Sequence, residues 1–140
     1  MIVDANLLLY AVDQNSPHHQ SASAWVESVM SGPKRIGLPW QTIGAFLRIV
    51  THPRVTTNPL DSATAWGFVS EWLVQPQVWI PPAGERTAQI LGRLLADGVT
   101  GNLIPDAQLA ALAIEYGVPV ASNDSDFARF PECRWFNPLR

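Results

Sequence analysis

Three aspartates lie far apart along the chain, two at the ends of strand-like stretches and one at the start of a helix-like one. Asp4 stands between the apolar pair Ile2-Val3 and the apolar run Leu7-Leu8-Leu9, and the first Lys or Arg is Lys34. Asp106 follows Pro105 at the start of a helical pattern, and Asp124 comes just past the apolar stretch "VPVAS". A carboxylate in apolar surroundings must be protonated, hydrogen-bonded or matched by a cation. No cation is near Asp4 in sequence, so a bound metal is its expected partner. Several carboxylates with water suit hard Mg²⁺ or Mn²⁺, ions that activate a water and steady the charge of a phosphodiester under attack. Taken singly, Asp106 could serve only the positive end of a helix dipole. Asp124 and Asp126 could form a turn or cap the short segment "FARF". Asp4 could cap the helix after it, a role for which Asn6 is equally placed.

These residues share a site only if the intervening elements bring them together. "MIVDA" reads as a short buried strand, with a helix "NLLLYAV" directly after it. "SPHHQSASAWVESVMSG" reads as a helix with Ser16 as N-cap, Pro17 at the first position and Gly32 at the stop. "RIGLP" is a second strand, and "WQTIGAFLRIVT" a helix ended by Pro53. "LDSATAWGFVSEWLV" starts on an Asp61 cap, and "VWIP" is a third strand. "GERTAQILGRLLADG" is amphipathic with Gly98 past its end, and "PDAQLAALAIEYG" runs from Pro105 to Gly117. "VPVAS" is a buried strand, and "RWFNPL" is expected as a last one at an edge. This alternation predicts an α/β fold, residues 1–140 as one domain, with a mainly parallel sheet flanked by helices. The strand order is not legible. In such a sheet the C-terminal ends of strands and the N-terminal ends of helices share one rim, where ligands bind. Asp4, Asp106 and Asp124 are all expected there.

The totals fit. The chain has 140 residues, 47% of them hydrophobic, enough for one domain with a real core. Its single Cys, Cys133, rules out an internal disulfide or a Cys cluster for zinc. No leader-like or membrane-spanning stretch is present, so a cytoplasmic protein is expected, with no membrane partner. A net charge of −3 argues against coating nucleic acid through bulk charge, but not against a nuclease with a local basic strip.

The segments "IVDANLLLYA", "GNLIPDAQLAALAIEYG" and "VASNDSDFARFPECRWFNP", in this order, resemble a PIN domain of the VapC toxin type. "FLRIVTHPR" resembles a subgroup abundant in mycobacteria. The resemblance implies a Mg²⁺- or Mn²⁺-dependent endoribonuclease, the toxin of a type II toxin–antitoxin pair acting on structured RNA such as tRNA or rRNA. It also implies a VapB-type antitoxin as partner, whose C-terminal tail lies in the active site, and a homodimer. Residue by residue, it makes Asp4, Asp106 and Asp124 the metal-binding acids and Asp126 an accessory acid. Ser122 matches the hydroxyl position beside them, and Asn6 a polar position supporting the first acid. One departure stands out. Many family members carry a glutamate early in the helix "WQTIGAFLRIVT", and that position here is Ala45. Fewer protein charges would then hold the metal.

Other residues read more plainly. Arg48, His52 and Arg54 could grip phosphate, but the end of a helix points away from the rim, which favours simple complementation of the helix dipole. Adjacent His18-His19 diverge and lack a third ligand, so a surface role is expected. Trp25, Trp66 and Trp72 are expected mostly in the core, and Cys133 has no His to activate it. Two other functions compete with the nuclease. One is a PIN-like module that has lost catalysis and only holds RNA or a protein. The other is a phosphatase of the haloacid dehalogenase type, which requires a second Asp where this chain has Asn6.

Overall fold

The computed structural model describes all 140 residues. Five strands of two paired residues each make the sheet: β1 (Ile2–Val3), β2 (Ile36–Gly37), β3 (Val78–Trp79), β4 (Val120–Ala121) and β5 (Trp135–Phe136). All pairings are parallel, in the order β3-β2-β1-β4-β5. Six helices connect them: α1 (Ala5–Val12), α2 (His19–Met30), α3 (Trp40–Val50), α4 (Ser62–Leu73), α5 (Glu85–Leu95) and α6 (Ile104–Tyr116). The expected α/β single domain with a parallel sheet is what the chain forms.

Parallel strands need crossovers, and crossovers cover both faces of the sheet. Successive strand residues point to opposite faces. Ile2 and Val120 therefore join the core under α5 and α6, while Val3 and Ala121 join the core under α1 to α4. On α6 the small residues Ala107, Ala110, Ala111 and Ala113 are buried, which lets the helix sit close to the sheet. Gly37 is small for a similar reason: a Cβ there would meet the Ile2 side chain at 3.3 Å. Gly117 ends α6 in the left-handed conformation at φ 66°, as its position predicts.

Several expectations need correction. The helix read from Ser16 begins at His19, and its cap position, His18, makes no side-chain capping bond. Ser16 instead closes a turn by accepting from the His18 amide at 3.1 Å. Trp66 is 44% exposed, not core, whereas Trp72 is buried and Trp25 packs half-buried against the core. Asp61 does cap its helix, accepting from the Thr64 amide at 2.7 Å. No helix is long and apolar enough to cross a membrane.

Candidate metal centre at the sheet switch point

The chain runs from β1 outward to β2 and β3, then returns to the other side of β1 for β4 and β5. The direction of winding reverses between β1 and β4, and such a reversal opens a crevice at the strands' C-terminal ends. Asp4 follows β1 directly, and Ser122 to Asp124 follow β4. α6 starts at the same rim, with Pro105 and Asp106 in its first turn. Topology alone thus gathers residues separated by more than a hundred positions.

The carboxylates are held by specific bonds. Asp4 is the N-cap of α1: Oδ1 accepts from the Ala5 amide at 2.8 Å, and Oδ2 accepts from the Ser122 hydroxyl at 2.7 Å. The capping reading of Asp4 is therefore correct, and part of its partnership lies within the chain. Asn6 does not cap. Its Nδ2 donates to Ser122 Oγ at 3.1 Å. The same hydroxyl oxygen accepts from the Asp124 amide at 2.9 Å, so the fully buried Ser122 joins β1 to the turn after β4. Asp124 in turn caps the 3-10 turn Ser125–Arg129, accepting from the Asp126 amide at 2.9 Å. The indole of Trp135 on β5 donates to the Ser122 carbonyl at 2.9 Å and fixes the hub from behind.

Carboxylate oxygens of Asp106, Asp124 and Asp126 all lie within 4.8 Å of one another. The tight trio thus includes Asp126, expected only as an accessory. Asp4 borders it through Ser122 and Asp124. The electrostatics show how crowded the site is. Burial, then the charges of Asp124, Asp4 and Asp126, push the Asp106 carboxyl up to about 7. Burial raises the Asp4 carboxyl as well, against the bonds from Ser122 and Ala5 that lower it. The nearest cation is Arg129, 3.7 Å from Asp126 and 65% exposed, so it offsets little of that charge. Sequence reasoning passed over Arg129, although its place three residues after Asp126 puts both on one turn.

The donor set fits a hard divalent cation: it is all oxygen and largely carboxylate, with no His or Cys. Oxygens sharing one octahedral Mg²⁺ sit about 3–4 Å apart, so small rotamer changes bring the trio into range. Without divalent ions the crowding has a cost. A carboxyl pushed up to about 7 keeps its proton in the folded chain at pH values where the unfolded chain has released it. The folded state then binds more protons than the unfolded one, so stability falls as pH rises between about 4 and 7. In EDTA, wild-type protein should melt lower at pH 8 than at pH 5, and Asp106→Asn should remove most of that difference. Parallel melting profiles for the two proteins would contradict this reading of the cluster.

The remaining sequence candidates lie elsewhere. Arg48 is in the last turn of α3, and His52 and Arg54 lie just beyond it, at the end of α3 away from the rim. His18 packs on Tyr10, and His19 Nδ1 lies 3.0 Å from the Tyr10 carbonyl, which gives both imidazoles local partners. Cys133 is buried, and burial pushes its thiol up to about 11, the opposite of a nucleophile's need.

Comparison with known proteins is consistent with this geometry. The family model described as PIN domain matches residues 1–132. Ribonuclease VapC33 of Mycobacterium tuberculosis is 46% identical over 141 residues, covering 100% of this chain and 99% of the relative. The chain belongs to the PIN-domain family of VapC ribonucleases. Ribonuclease VapC37 of the same organism is 42% identical over 138 residues, covering 98% of this chain and 96% of that one. The PIN fold is also that of VapBC2 from Rickettsia felis, solved bound to a DNA fragment from its promoter. Its TM-score is 0.68 at 16% identity, with 97% of this chain and 96% of that chain covered. Ala45, the helix position read as the family's glutamate, lies on half-exposed α3 surface.

Proposed function

We propose that this chain is the toxin of a type II toxin–antitoxin pair, a Mg²⁺- or Mn²⁺-dependent endoribonuclease that cleaves structured RNA such as tRNA or rRNA. The observation that supports it most is the convergence of Asp4, Asp106, Asp124 and Asp126 at the switch point of a VapC-family fold. Asp106, Asp124 and Asp126 would hold the ion, with Asp4 completing the ring of charge beside it. When bound, the ion supplies an activated water and charge stabilisation at the phosphodiester. The chain's own contribution is positional. Ser122 holds Asp4 and the Asp124 backbone in fixed register, and Asn6 holds Ser122. Asp126, half-exposed at the edge of the trio, would also help orient the attacking water. The proposed partners are a VapB-type antitoxin and a second copy of the chain, in keeping with the VapBC complexes that share the fold.

The test is cleavage of total RNA by purified, antitoxin-free protein. Cleavage should require Mn²⁺ or Mg²⁺ and stop in EDTA. Ala45 favours a second reading, a PIN module that binds without cutting, and an inert wild-type protein in that assay would establish it. If Ala45 leaves the site short of charge, Ala45→Glu should tighten Mn²⁺ binding. Unchanged affinity would remove the reason for tying this position to the metal.

A further inference from the structure

A cavity of about 300 Å³ opens on the same rim, between the N-terminal parts of α3 and α5 and the side of α6. Its walls include Gln41, Gly84, Thr87, Leu91, Gln108 and Leu112. The cavity flanks the acidic site across the first turns of α6. Gln108, two residues past Asp106, leaves the helix about 200° round from it, so Asp106 faces the acidic trio while Gln108 faces the cavity. Gln41 precedes Thr42, whose buried hydroxyl donates to the Val3 carbonyl at 2.8 Å, one residue before Asp4.

The chemistry of the lining narrows the occupant. No Lys or Arg faces the cavity, so it is not built to hold phosphate. The volume is at the small end of ligand sites, which start at about 300 Å³, enough for one planar ring system but not for a chain. Thr87 is committed to the Gly84 amide and the Glu115 carboxylate, and Gln75 and Gln77 elsewhere bond backbone carbonyls. Gln41, half-buried, and Gln108, exposed, make no side-chain hydrogen bond within the chain and are open to an incoming ligand. Each amide offers a carbonyl acceptor and an NH₂ donor side by side, the pattern that reads the edge of a nucleobase. Beside Gln41, Trp40 is 60% exposed and presents an indole on which a further base can stack. Only an unpaired base shows its full edge to a protein pocket.

We propose that this cavity is a base-recognition subsite, in which Gln41 and Gln108 read one unpaired base flanking the cleaved bond. The inference rests on the ribonuclease reading for its substrate. The subsite, not the acidic trio, then sets which loop sequence is cut.

The experiment maps cleavage ends on RNA hairpins with randomised loops. Wild-type protein should favour one base at a fixed distance from the cut. The Gln41→Ala/Gln108→Ala double variant should lose that preference by about 5- to 150-fold, the range for one good bidentate base contact. Gln108→Glu, which replaces donors by acceptors at constant size, should move the preference to a different base. A wild-type enzyme with no base preference, or a double variant that retains it, overturns the subsite. So does a double variant that changes only the monomer–dimer equilibrium, which would assign the cavity to a second copy. If wild-type protein cuts no RNA, the ribonuclease reading fails separately. Binding of single-stranded RNA oligomers then decides the subsite: weaker binding by the double variant supports it, and equal binding overturns it.

Discussion

Asp4→Asn should lower RNA cleavage by about 100-fold or more while leaving the fold near wild-type stability. Asn caps a helix as well as Asp does, so the bond to the Ala5 amide survives the change. The amide has one acceptor where the carboxylate had two. The orientation that keeps the Ala5 bond turns its NH₂ toward Ser122 and loses that bond, because the hydroxyl already accepts from Asn6 and the Asp124 amide. Against that loss stands the removal of a carboxylate that burial disfavours. The two effects oppose each other in stability. In catalysis nothing replaces the charge. Residues that merely support metal ligands cost about 10–100-fold when changed, and a charge beside the ion should cost at least as much. Thermal melts with single-turnover cleavage separate the two readouts. Unimpaired cleavage by a folded Asp4→Asn protein would take Asp4 out of the mechanism.

Ser122→Ala should damage both properties. Its side chain is completely buried and joins Asp4, Asn6 and the Asp124 backbone through one oxygen. Alanine leaves the Asp124 amide without its acceptor and Asp4 Oδ2 without its donor. Leaving such groups unpaired costs about 1–3 kcal/mol each where water cannot reach. Asp4 and Asp124 are both partly accessible to water, which puts the expected loss near the lower end, about 2 kcal/mol by denaturant titration. Cleavage should fall by about 10–100-fold, because Asp4 and Asp124 lose their common anchor. Ser122→Thr keeps the hydroxyl and should recover most of that activity. An alanine variant as stable and as active as wild type would show that the hub positions nothing.

Much of this site is legible in sequence because its signals are local. Pro105 before Asp106 marks a helix start whatever the fold, and the apolar "VPVAS" before Asp124 marks a strand end. Given a parallel sheet, strand ends and helix starts fall on one rim, so the gathering of Asp4, Asp106 and Asp124 follows from types and order alone. What was not legible depends on three-dimensional register. Each strand has only two paired residues, too few for a side-chain pattern that would reveal neighbours, so the order β3-β2-β1-β4-β5 left no trace. The sequence points to Asp4, Asp106 and Asp124 as the metal set, whereas the tight trio is Asp106, Asp124 and Asp126. That difference arises from the 3-10 turn after Asp124, which turns Asp126 back toward α6. In sequence Asp4 has no visible partner but a metal, because the hydroxyl that bonds it lies 118 positions away. Ser16 and Pro17 carry good capping chemistry, yet it is spent on a turn, and the helix starts at His19. Gln41 and Gln108 carry no sequence signal, since an amide matters only for what it faces.

The proposed mechanism requires aspartates remote in sequence to hold one divalent ion. Calorimetric titration of Mn²⁺ into EDTA-stripped, dialysed protein tests it without RNA or antitoxin. Wild-type protein should take up the ion saturably, and Asp124→Asn and Asp106→Asn should each weaken uptake by about tenfold or more. Uptake with the same affinity in all three proteins, or none in the wild type, would contradict the account.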